Sequence, residues 1–409
     1  MFSATKSFFT NEATGGGGGP TPSWSLDFSS GTPSGYTLTR ASTGTYVDSS
    51  GYVASASTDV ARLTHNSSGS RLGLLVEGQR TNFAGSTETL ATNIAINVGG
   101  TITNNHATGP DNTTSADRLE LTATGYIYKS TAVTNCAGSS YVASVWVKGT
   151  AAAQTVRFRF AGGSSNPTGL IQTSTITTST TDWTRVVLPV STWTGTAQRL
   201  DFGIDQRSAV GSGPGTSCDV LLWGWSIEEV PSATAGTTVS ATSYIPNTST
   251  TATATRSADL VHVLDSAITS WGDPGALVIH FYAPGQAGTL ISTDDASTAQ
   301  VGIEASTTTA ARAFWSSGST ATGTIGSGVQ KAVHDWNGST SKFAINGGTV
   351  QSGTNNFTIA NADFVTLGAE ATESGGVPGT FSQYSNVIIR KVEFYSGTLS
   401  DSDLQTITT

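Results

Sequence analysis

Charged residues are scarce in this chain, at 11% of its 409 residues, and the formal net charge is −9. Nucleic-acid binding needs clustered Lys and Arg to neutralise phosphates, whereas the 19 basic residues are scattered along the sequence. The apolar runs are also far shorter than the roughly 20 residues that a membrane-spanning helix needs. We therefore expect neither a nucleic-acid partner nor insertion into a membrane.

Cysteine is rare as well, since the chain has only Cys136 and Cys218. No Cys/His cluster has the spacing of a structural zinc site. The N-terminal residues contain no sustained apolar segment, so we expect no signal peptide and synthesis in a cytoplasm. In a reducing cytoplasm two thiols are favoured over a disulfide, although the sequence leaves the pairing open.

Glycine is abundant, with 47 residues, and Thr and Ser are plentiful beside it. This composition suits short strands joined by tight turns and suits long helices poorly. The length allows two or three domains, each with its own core. We therefore predict an all-β protein with a small N-terminal β unit followed by two antiparallel β-sandwiches.

Turn signals and composition shifts divide the chain into five predicted segments. They are a terminal peptide and glycine linker at 1–20, a small β unit at 21–82, a sandwich at 83–230, a Ser/Thr/Ala-rich linker at 231–258 and a second sandwich at 259–409. Phe2, Phe8 and Phe9 make the terminal peptide a candidate docking tag, and a disordered terminus is the equal alternative.

Several segments alternate apolar and polar residues, as half-buried strands do. VRFRF at 156–160 places Val and Phe on one face and Arg on the other, and LDFGID at 200–205 repeats the pattern with acids. Further strands are predicted at 141–148, 184–190, 220–227, 277–282, 364–368 and 386–395. A hairpin is predicted at 331–346, and Ser400 with Asp403 three residues later predicts a capped C-terminal helix.

The densest conjunction of apolar, charged and turn-forming residues is GLLVEGQRTN at 73–82, which predicts a buried strand followed by a fixed corner. Glu77 and Arg80 are spaced to pair across Gly78, with Asn82 closing the corner, and an ordinary surface pair is the alternative. Together these residues are interpreted as a joint between segments.

This stretch resembles the LLVEGARTN segment of bacteriophage virion appendage proteins, including tail fibres and head fibres or spikes. TRAST and TYVD in the residues before it, and ATSYIP followed by TRSAD at 241–259, extend the resemblance to about residues 36–260. It implies a location on the virion surface, with phage capsid or tail proteins and host cell-surface polysaccharide as partners. Weak sugar contacts gain from multivalency, so we also expect a homo-oligomer.

Both predicted sandwiches resemble known modules. YVASVWVK at 141–148, followed by a WTRV strand and VLLWGWSIEE, is similar to carbohydrate-binding modules of the jelly-roll type. HDWNGSTSKFAINGG at 334–348 and the ending at 386–407 resemble concanavalin A-like, laminin G-like domains. The resemblance implies that the second sandwich binds glycan on a host surface.

A sugar site needs an exposed aromatic plate rimmed by polar groups. Trp315, Tyr384 and Trp271 are the candidates in the second sandwich and Trp193 in the first, whereas Trp336 is expected in a core. Asp294 and Asp295 could hold a calcium ion in a turn, although a solvated acidic turn is the more common use of such a pair. No other cofactor is expected.

Catalysis is not expected. The E-x-D-x-x-E string of concanavalin A-like glycosidases is missing, and neither Glu228–Glu229 nor Glu370 with Glu373 is placed as an acid/base pair. The sequence therefore predicts a non-enzymatic appendage protein. A purely structural decoration protein and a secreted carbohydrate-active accessory protein or hydrolase are the alternatives.

Overall fold

The computed structural model describes residues 19–133, 139–162, 171–192, 199–208, 213–230, 240–294, 300–315, 318–354, 362–374 and 376–409. Strands dominate the regular structure, and they pair antiparallel, which confirms the all-β prediction. The chain forms two units. We call residues 52–54 and 80–256 the middle unit, and residues 19–51, 55–79 and 257–409 the discontinuous unit.

The strands that precede residue 83 are short. They are β1 (Trp24–Asp27), β2 (Thr37–Thr39), β3 (Gly44–Val47), β4 (Val53–Ala56), β5 (Leu63–His65), β6 (Arg71–Val76) and β7 (Arg80–Asn82). A turn closed by the Gly51 N–H donating to the Asp48 carbonyl joins β3 to β4, as the Asp-Ser-Ser-Gly sequence predicts.

The following strands, as far as residue 256, are longer. They are β8 (Ile94–Ala107), β9 (Ala116–Ala132), β10 (Ser140–Gly149), β11 (Thr155–Gly162), β12 (Ile171–Thr177), β13 (Thr184–Thr192), β14 (Arg199–Asp205), β15 (Cys218–Val230) and β16 (Ala254–Arg256). The predicted strands at 141–148, 156–160, 184–190, 200–205 and 220–227 are therefore confirmed.

In the middle unit these strands run in the order β12-β11-β14-β9-β15-β10-β13, with β8 on β9 and β7 between β15 and β16. The first part of β9 pairs with β15 and the last part pairs with β14. Both parts of the sheet contribute to one apolar core, with Phe158 and Phe202 from one part and Val145 and Leu222 from the other. Cys218 is buried in this core, and burial raises the pKa of its thiol to about 12. Cys136 lies outside the described residues.

The remaining strands follow residue 259. They are β17 (Leu260–Leu264), β18 (Gly275–Tyr282), β19 (Gly288–Asp294), β20 (Val301–Thr307), β21 (Ala310–Trp315), β22 (Gly318–Ser319), β23 (Gly323–Thr324), β24 (Val329–Trp336), β25 (Thr340–Ile345), β26 (Gln351–Thr354), β27 (Phe364–Leu367), β28 (Glu370–Glu373), β29 (Pro378–Ser382) and β30 (Val387–Ser396), with a 3₁₀ turn at Asp265–Ala267 and the helix α1 (Asp401–Thr408). The helix has the predicted cap, because the Ser400 side chain accepts from the Asp403 N–H.

The discontinuous unit is a two-sheet sandwich, as predicted for its C-terminal part. One sheet has the order β26-β25-β24-β18-β30-β6-β5 with β1 also on β30, and the other has the order β2-β17-β27-β19-β20-β21-β22 with β23 on β21. Ile279 and Phe281 of the first sheet meet Ile303 and Val365 of the second in one core.

The chain passes from one unit to the other at residues 79–80, close to the predicted boundary at residue 82. Residues 21–82 are nevertheless not a separate β unit, because their strands complete this sandwich. β6 pairs with β30 through Leu74 opposite Ile389, and β1 pairs with another part of β30. Leu26 is 2% exposed and Leu74 is fully buried, and both lie in the same core as the C-terminal strands. Strands of three to six residues cannot bury a core alone, so they are stable only as part of a larger sheet.

The predicted linker at 231–258 is corrected in part. Tyr244 and Ile245 are buried, and the Tyr244 ring packs 4.5 Å from the Trp223 ring centroid and 5.7 Å from that of Trp146. Tyr244 therefore packs against β10 and β15 of the middle unit. Residues 240–256 are therefore part of the middle unit, while 231–239 lie outside the described residues.

Candidate functional site

The predicted aromatic plate at Trp315 is wrong, because this side chain is only 6% exposed and belongs to the sandwich core. It closes β21, whose alternate residues point inward, and the position of Gly353 would place a Cβ 2.4 Å from its ring. Trp336 is fully buried, as predicted.

Tyr384 and Trp271 are half-buried. The Tyr384 side chain packs over the motif glycine, since a Cβ at Gly78 would lie 3.0 Å from Tyr384 Cβ. Trp271 packs with its ring centroid 4.9 Å from that of Phe394. Neither ring is an open plate, and a role in binding stays a prediction for both.

Several predicted residues lie outside the description. Phe2, Phe8, Phe9, Trp193 and Asp295 are not described, and the side chain of Asp294 is not described either. The calcium and docking predictions for these residues stay predictions. Within the described residues, no group of three or more His, Cys, Asp or Glu side chains could hold a metal ion.

The motif residue Glu77 lies in a buried ion network. Its Oε2 accepts from Arg62 Nη1 at 2.6 Å, and Arg62 also donates to Asp259 Oδ2. Asp259 Oδ1 accepts from Arg40 Nη1 at 2.9 Å. Two guanidinium groups therefore face two carboxylates, so the buried charges are balanced. These ion pairs connect the three chain segments of the discontinuous unit, because Arg40, Arg62 and Asp259 each come from a different segment. The pairing of Glu77 with Arg80 stays a prediction.

The other motif residues are held by amide contacts. The Gly78 N–H donates to Asn386 Oδ1 at 2.8 Å. Asn82 is fully buried, and its side chain donates to the Ile245 carbonyl and accepts from the N–H groups of Ala84 and Ile227. These contacts hold the backbone at Gly78 and at Asn82, and the interpretation of the motif as a joint stays a prediction.

A polar array covers the face of the middle unit's sheet that points away from its core. One row, running across adjacent strands in register, holds Thr173, Arg159, Gly203, Tyr128 and Ile96. Alternation explains the placement, because Phe158 and Phe160 on either side of Arg159 are core residues.

A second row lies beside the first. It holds Thr175, Arg157, Asp205, Tyr126 and Val98. We call Tyr126, Tyr128, Arg157, Arg159, Asp205 and Arg207 together the tyrosine–arginine face. The position of Gly203 in the middle of the first row cannot hold a side chain, because a Cβ there would lie 1.8 Å from the Ile127 carbonyl oxygen.

Asp205 is the hub of this face and is fully buried. Its carboxylate accepts from Arg207 Nε at 2.9 Å and Nη2 at 2.7 Å and from Tyr128 Oη at 2.7 Å, and it lies 3.2 Å from Arg157 Nη2. The Arg207 guanidinium also stacks on the Tyr126 ring, 3.7 Å from its centroid. The network fixes the geometry of the face before any ligand binds.

Arg159 lies at the other end of the network and is 7% exposed. Its Nη1 donates to Tyr128 Oη at 3.0 Å, and its Cζ lies 5.5 Å from the Tyr128 ring centroid. Among the described residues, no carboxylate lies within ion-pair distance of Arg159.

The protonation states of the face are fixed near neutral pH. Burial and the donation to Asp205 raise the pKa of Tyr128 to about 12. Although burial opposes the charge of Asp205, hydrogen bonds from Arg207 and Tyr128 hold the pKa of this carboxyl below its ordinary value. A neutral phenol and a saturated carboxylate bind and orient a ligand, but they are poor general acids and bases at this pH.

Glutamates considered as catalytic pairs are also placed for other roles. Glu228 is buried and accepts from the N–H and Oγ1 of Thr242. Glu370 opens β28, and the side chain of Glu373 lies outside the description. Sequence alternation had marked the strands of Arg159 and Asp205, but it could not show that the two strands are neighbours.

Two shallow recesses lie on the discontinuous unit, on either side of Asn346. Their volumes are about 320 and 360 Å³. The lining of the first carries one charged side chain, Lys331, and the second has Phe343, which is fully buried. Neither recess offers the aromatic plate predicted for the second sandwich.

The helix of the described chain is too short to cross a membrane.

No family model and no curated protein matches the chain. Among solved structures, it is similar to domain 4 of the arabinanase AbnA from Geobacillus stearothermophilus, at 17% identity over 37% of this chain and 73% of that one, with a TM-score of 0.27. The enzymatically active domain of bacteriophage CBA120 tailspike protein 4 matches at 15% identity over 36% of this chain and 21% of that one, with a TM-score of 0.26. The CBM22 tandem domain of Paenibacillus barcinonensis Xyn10C matches at 10% identity over 79% and 99%, with a TM-score of 0.28. At TM-scores this low the similarities carry no argument about function.

Proposed function

We propose that this protein is a non-enzymatic glycan-binding protein and that the tyrosine–arginine face of the middle unit contacts the saccharide. The observation that supports this is the network around Asp205, which pre-organises guanidinium donors beside the half-buried Tyr126 ring. Saccharide sites combine a few fixed polar groups with an aromatic surface, and pre-organisation lowers the entropy lost on binding. The burial of Trp315 moves the proposed contact from the second sandwich to this face.

Binding is tested with the full chain on an array of bacterial surface polysaccharides. Tyr126→Ala removes the aromatic surface and is expected to lower affinity about 5- to 30-fold, equivalent to about 1–2 kcal/mol. Tyr52→Ala is the matched control, because Tyr52 is 37% exposed and is not one of the six residues of the tyrosine–arginine face. Equal binding by Tyr126→Ala and the wild type, or no binding by the wild type, would refute the proposal.

The non-enzymatic part rests on the chemistry of Asp205. This carboxylate is saturated by hydrogen bonds, and a retaining glycosidase needs a second carboxyl group about 5–5.5 Å away. Among the six residues of the tyrosine–arginine face, Asp205 is the one carboxylate, and Asp201 on the same side of β14 is paired with Arg199. Release of reducing ends from any bound polysaccharide would favour the hydrolase alternative instead.

We also propose that the protein is a virion appendage, on the resemblance of residues 36–83 to phage fibre and spike proteins. In this proposal residues 1–20, with Phe2, Phe8 and Phe9, attach to a capsid or tail protein, and the protein is a homo-oligomer that binds host polysaccharide. Chain lacking residues 1–20 should then be missing from purified particles, while the full chain is seen on their surface by electron microscopy. Normal incorporation of the truncated chain would contradict the anchoring role.

A further inference from the structure

We propose that the saccharide bound by the tyrosine–arginine face is acidic and that its anionic group pairs with Arg159. This inference rests on the proposed function and names the substrate class of that site. Its basis is a charge imbalance: the face holds the guanidinium groups of Arg157, Arg159 and Arg207 and the carboxylate of Asp205.

The carboxylate of Asp205 serves the other two arginines. Arg207 contacts it through two nitrogens, and Arg157 Nη2 lies 3.2 Å from its Oδ1. Asp205 Oδ2 also accepts from the Tyr128 hydroxyl at 2.7 Å, and the same hydroxyl oxygen accepts from Arg159 Nη1 at 3.0 Å. Arg159 therefore meets the phenol oxygen instead of a charge.

Tyr128 cannot supply the missing countercharge. Its pKa is raised to about 12, so the phenol stays neutral across the physiological range. The ring gives a cation–π contact with Arg159 but no full negative charge. A guanidinium is a cation with N–H donors and no acceptor, so Arg159 brings a positive charge to the face.

The rest of the middle unit offers no replacement. The stretches outside the description within residues 83–256 are 134–138, 163–170, 193–198, 209–212 and 231–239, and their sequences contain no Asp or Glu. Asp201, which lies on the same side of β14 as Asp205, pairs with Arg199 and accepts from Ser130. In the discontinuous unit, by contrast, the buried guanidinium groups of Arg40 and Arg62 each meet a carboxylate.

A buried cation without an anion is unfavourable unless a ligand provides the charge. A planar carboxylate or a phosphate oxygen pair matches the remaining donors of the Arg159 guanidinium. The exposed Thr173, directly opposite Arg159 on β12, places a hydroxyl where a sugar hydroxyl can hydrogen-bond. The site therefore suits a saccharide that carries a carboxylate or phosphate group.

The test is calorimetric titration of the full chain with glucuronate oligosaccharides, the matching neutral glucose oligosaccharides and inorganic phosphate. Wild type is expected to bind the acidic saccharide at least 10-fold more tightly than the neutral one, and inorganic phosphate more weakly than the acidic saccharide. Arg159→Gln should lower acidic affinity about 10- to 100-fold, as the loss of a charged hydrogen bond predicts, so that the preference for the acidic over the neutral saccharide disappears. Arg118→Gln is the matched control, because Arg118 is a partly exposed arginine of the same unit paired with Asp219.

Stability separates a binding role from a structural one. If Arg159 lacks a countercharge, Arg159→Gln should unfold without ligand at the same temperature as the wild type or at a higher one. The acidic saccharide should then raise the unfolding temperature of the wild type but not that of Arg159→Gln. Acidic binding that is unchanged in Arg159→Gln overturns the inference but leaves glycan binding standing. Equal affinity for phosphate and glucuronate overturns the saccharide assignment, and no saccharide binding at all overturns the proposed function with it.

Discussion

Asp335 on β24 is a buried carboxyl with no guanidinium partner among the described residues. It accepts from the Leu399 N–H at 3.1 Å, just before the C-terminal helix. Burial raises its pKa from 3.8 to about 6, against smaller opposing effects of that hydrogen bond and of Lys342. At neutral pH this side chain is therefore charged at a cost to the folded state.

Replacing this residue should remove a pH dependence of stability. A carboxyl with a raised folded pKa stabilises the fold fully below pH 3.8, and that contribution is lost as the pH rises through about 6. Asp335→Asn keeps the acceptor for Leu399 but cannot ionise. Relative to wild type, it should gain about 2–3 kcal/mol in free energy of unfolding between pH 4 and pH 8. Urea unfolding at both values measures this difference.

Glu120→Gln is the control for that experiment, because the Glu120 side chain is 47% exposed and pairs with Arg118 in the other unit. Its pH profile should follow the wild type within about 0.5 kcal/mol. If the free energy of unfolding changes with pH in the same way for wild type and Asp335→Asn, the pKa of Asp335 is not raised in the folded protein.

Single residues show the limits of sequence pattern. Alternation separated Arg159 and Asp205 from the apolar core residues of their strands. It was wrong in predicting half-buried strands, because Arg159 and Asp205 are buried as well. The same pattern could not tell that Trp315 is buried, since a tryptophan before a Ser-Ser-Gly turn suits a core and a surface equally. Burial of that kind depends on the second sheet, whose position is not encoded locally.

Among the elements, β6 shows why the opening motif contains a glycine before its leucines. Gly73 has φ +147°, and a Cβ there would lie 2.2 Å from the Ile389 carbonyl oxygen of β30. Any side chain would separate the two strands. The pairing of β6 with β30 therefore requires glycine at this position.

Gly73→Ala should destabilise the discontinuous unit by about 2–4 kcal/mol, from backbone strain and lost pairing with β30. Gly31→Ala is the matched control, because a Cβ at Gly31 meets no atom within 4 Å. It should change stability by less than about 0.5 kcal/mol. Urea unfolding followed by tryptophan fluorescence compares the two, and equal stabilities would show that β6 tolerates separation from β30.

Strand positions were predictable where alternation and turn residues agreed, as at β11, β14 and the β24–β25 hairpin. The capped helix α1 was predictable too, because Ser400 and Asp403 act within one turn. Pairing partners were not: Leu74 and Ile389 face each other across more than three hundred residues of chain. No local rule specifies a contact at that separation.

At the scale of the whole molecule, the chain leaves one unit, builds another and returns. Residues 19–51 and 55–79 share a core with residues 257–409, and the middle unit is formed from residues between them. A buried network of ion pairs also connects the two parts of the discontinuous unit. Arg40, Arg62 and Glu77 come from the N-terminal part, and Asp259 comes from the C-terminal part. Removing either part leaves buried charge without its partner.

This connectivity predicts how fragments behave. Residues 80–256 contain their own core and should fold alone with a cooperative urea transition. Residues 257–409 alone would expose the edge of β30 that pairs with β1 and β6, and would leave Asp259 without Arg40 and Arg62. They should therefore aggregate or be rapidly degraded by protease, because an unpaired apolar edge strand templates association.

Co-expression separates this explanation from a general fragility of short chains. Residues 19–79 supplied as a second polypeptide should restore soluble, protease-resistant 257–409, because they return β1, β6 and both arginines. The same segment carrying Asp in place of Leu74 should fail, since that side chain is fully buried in the shared core. A stable, cooperative 257–409 fragment would instead return the boundary to residue 258 and make the N-terminal strands an accessory of an already complete sandwich.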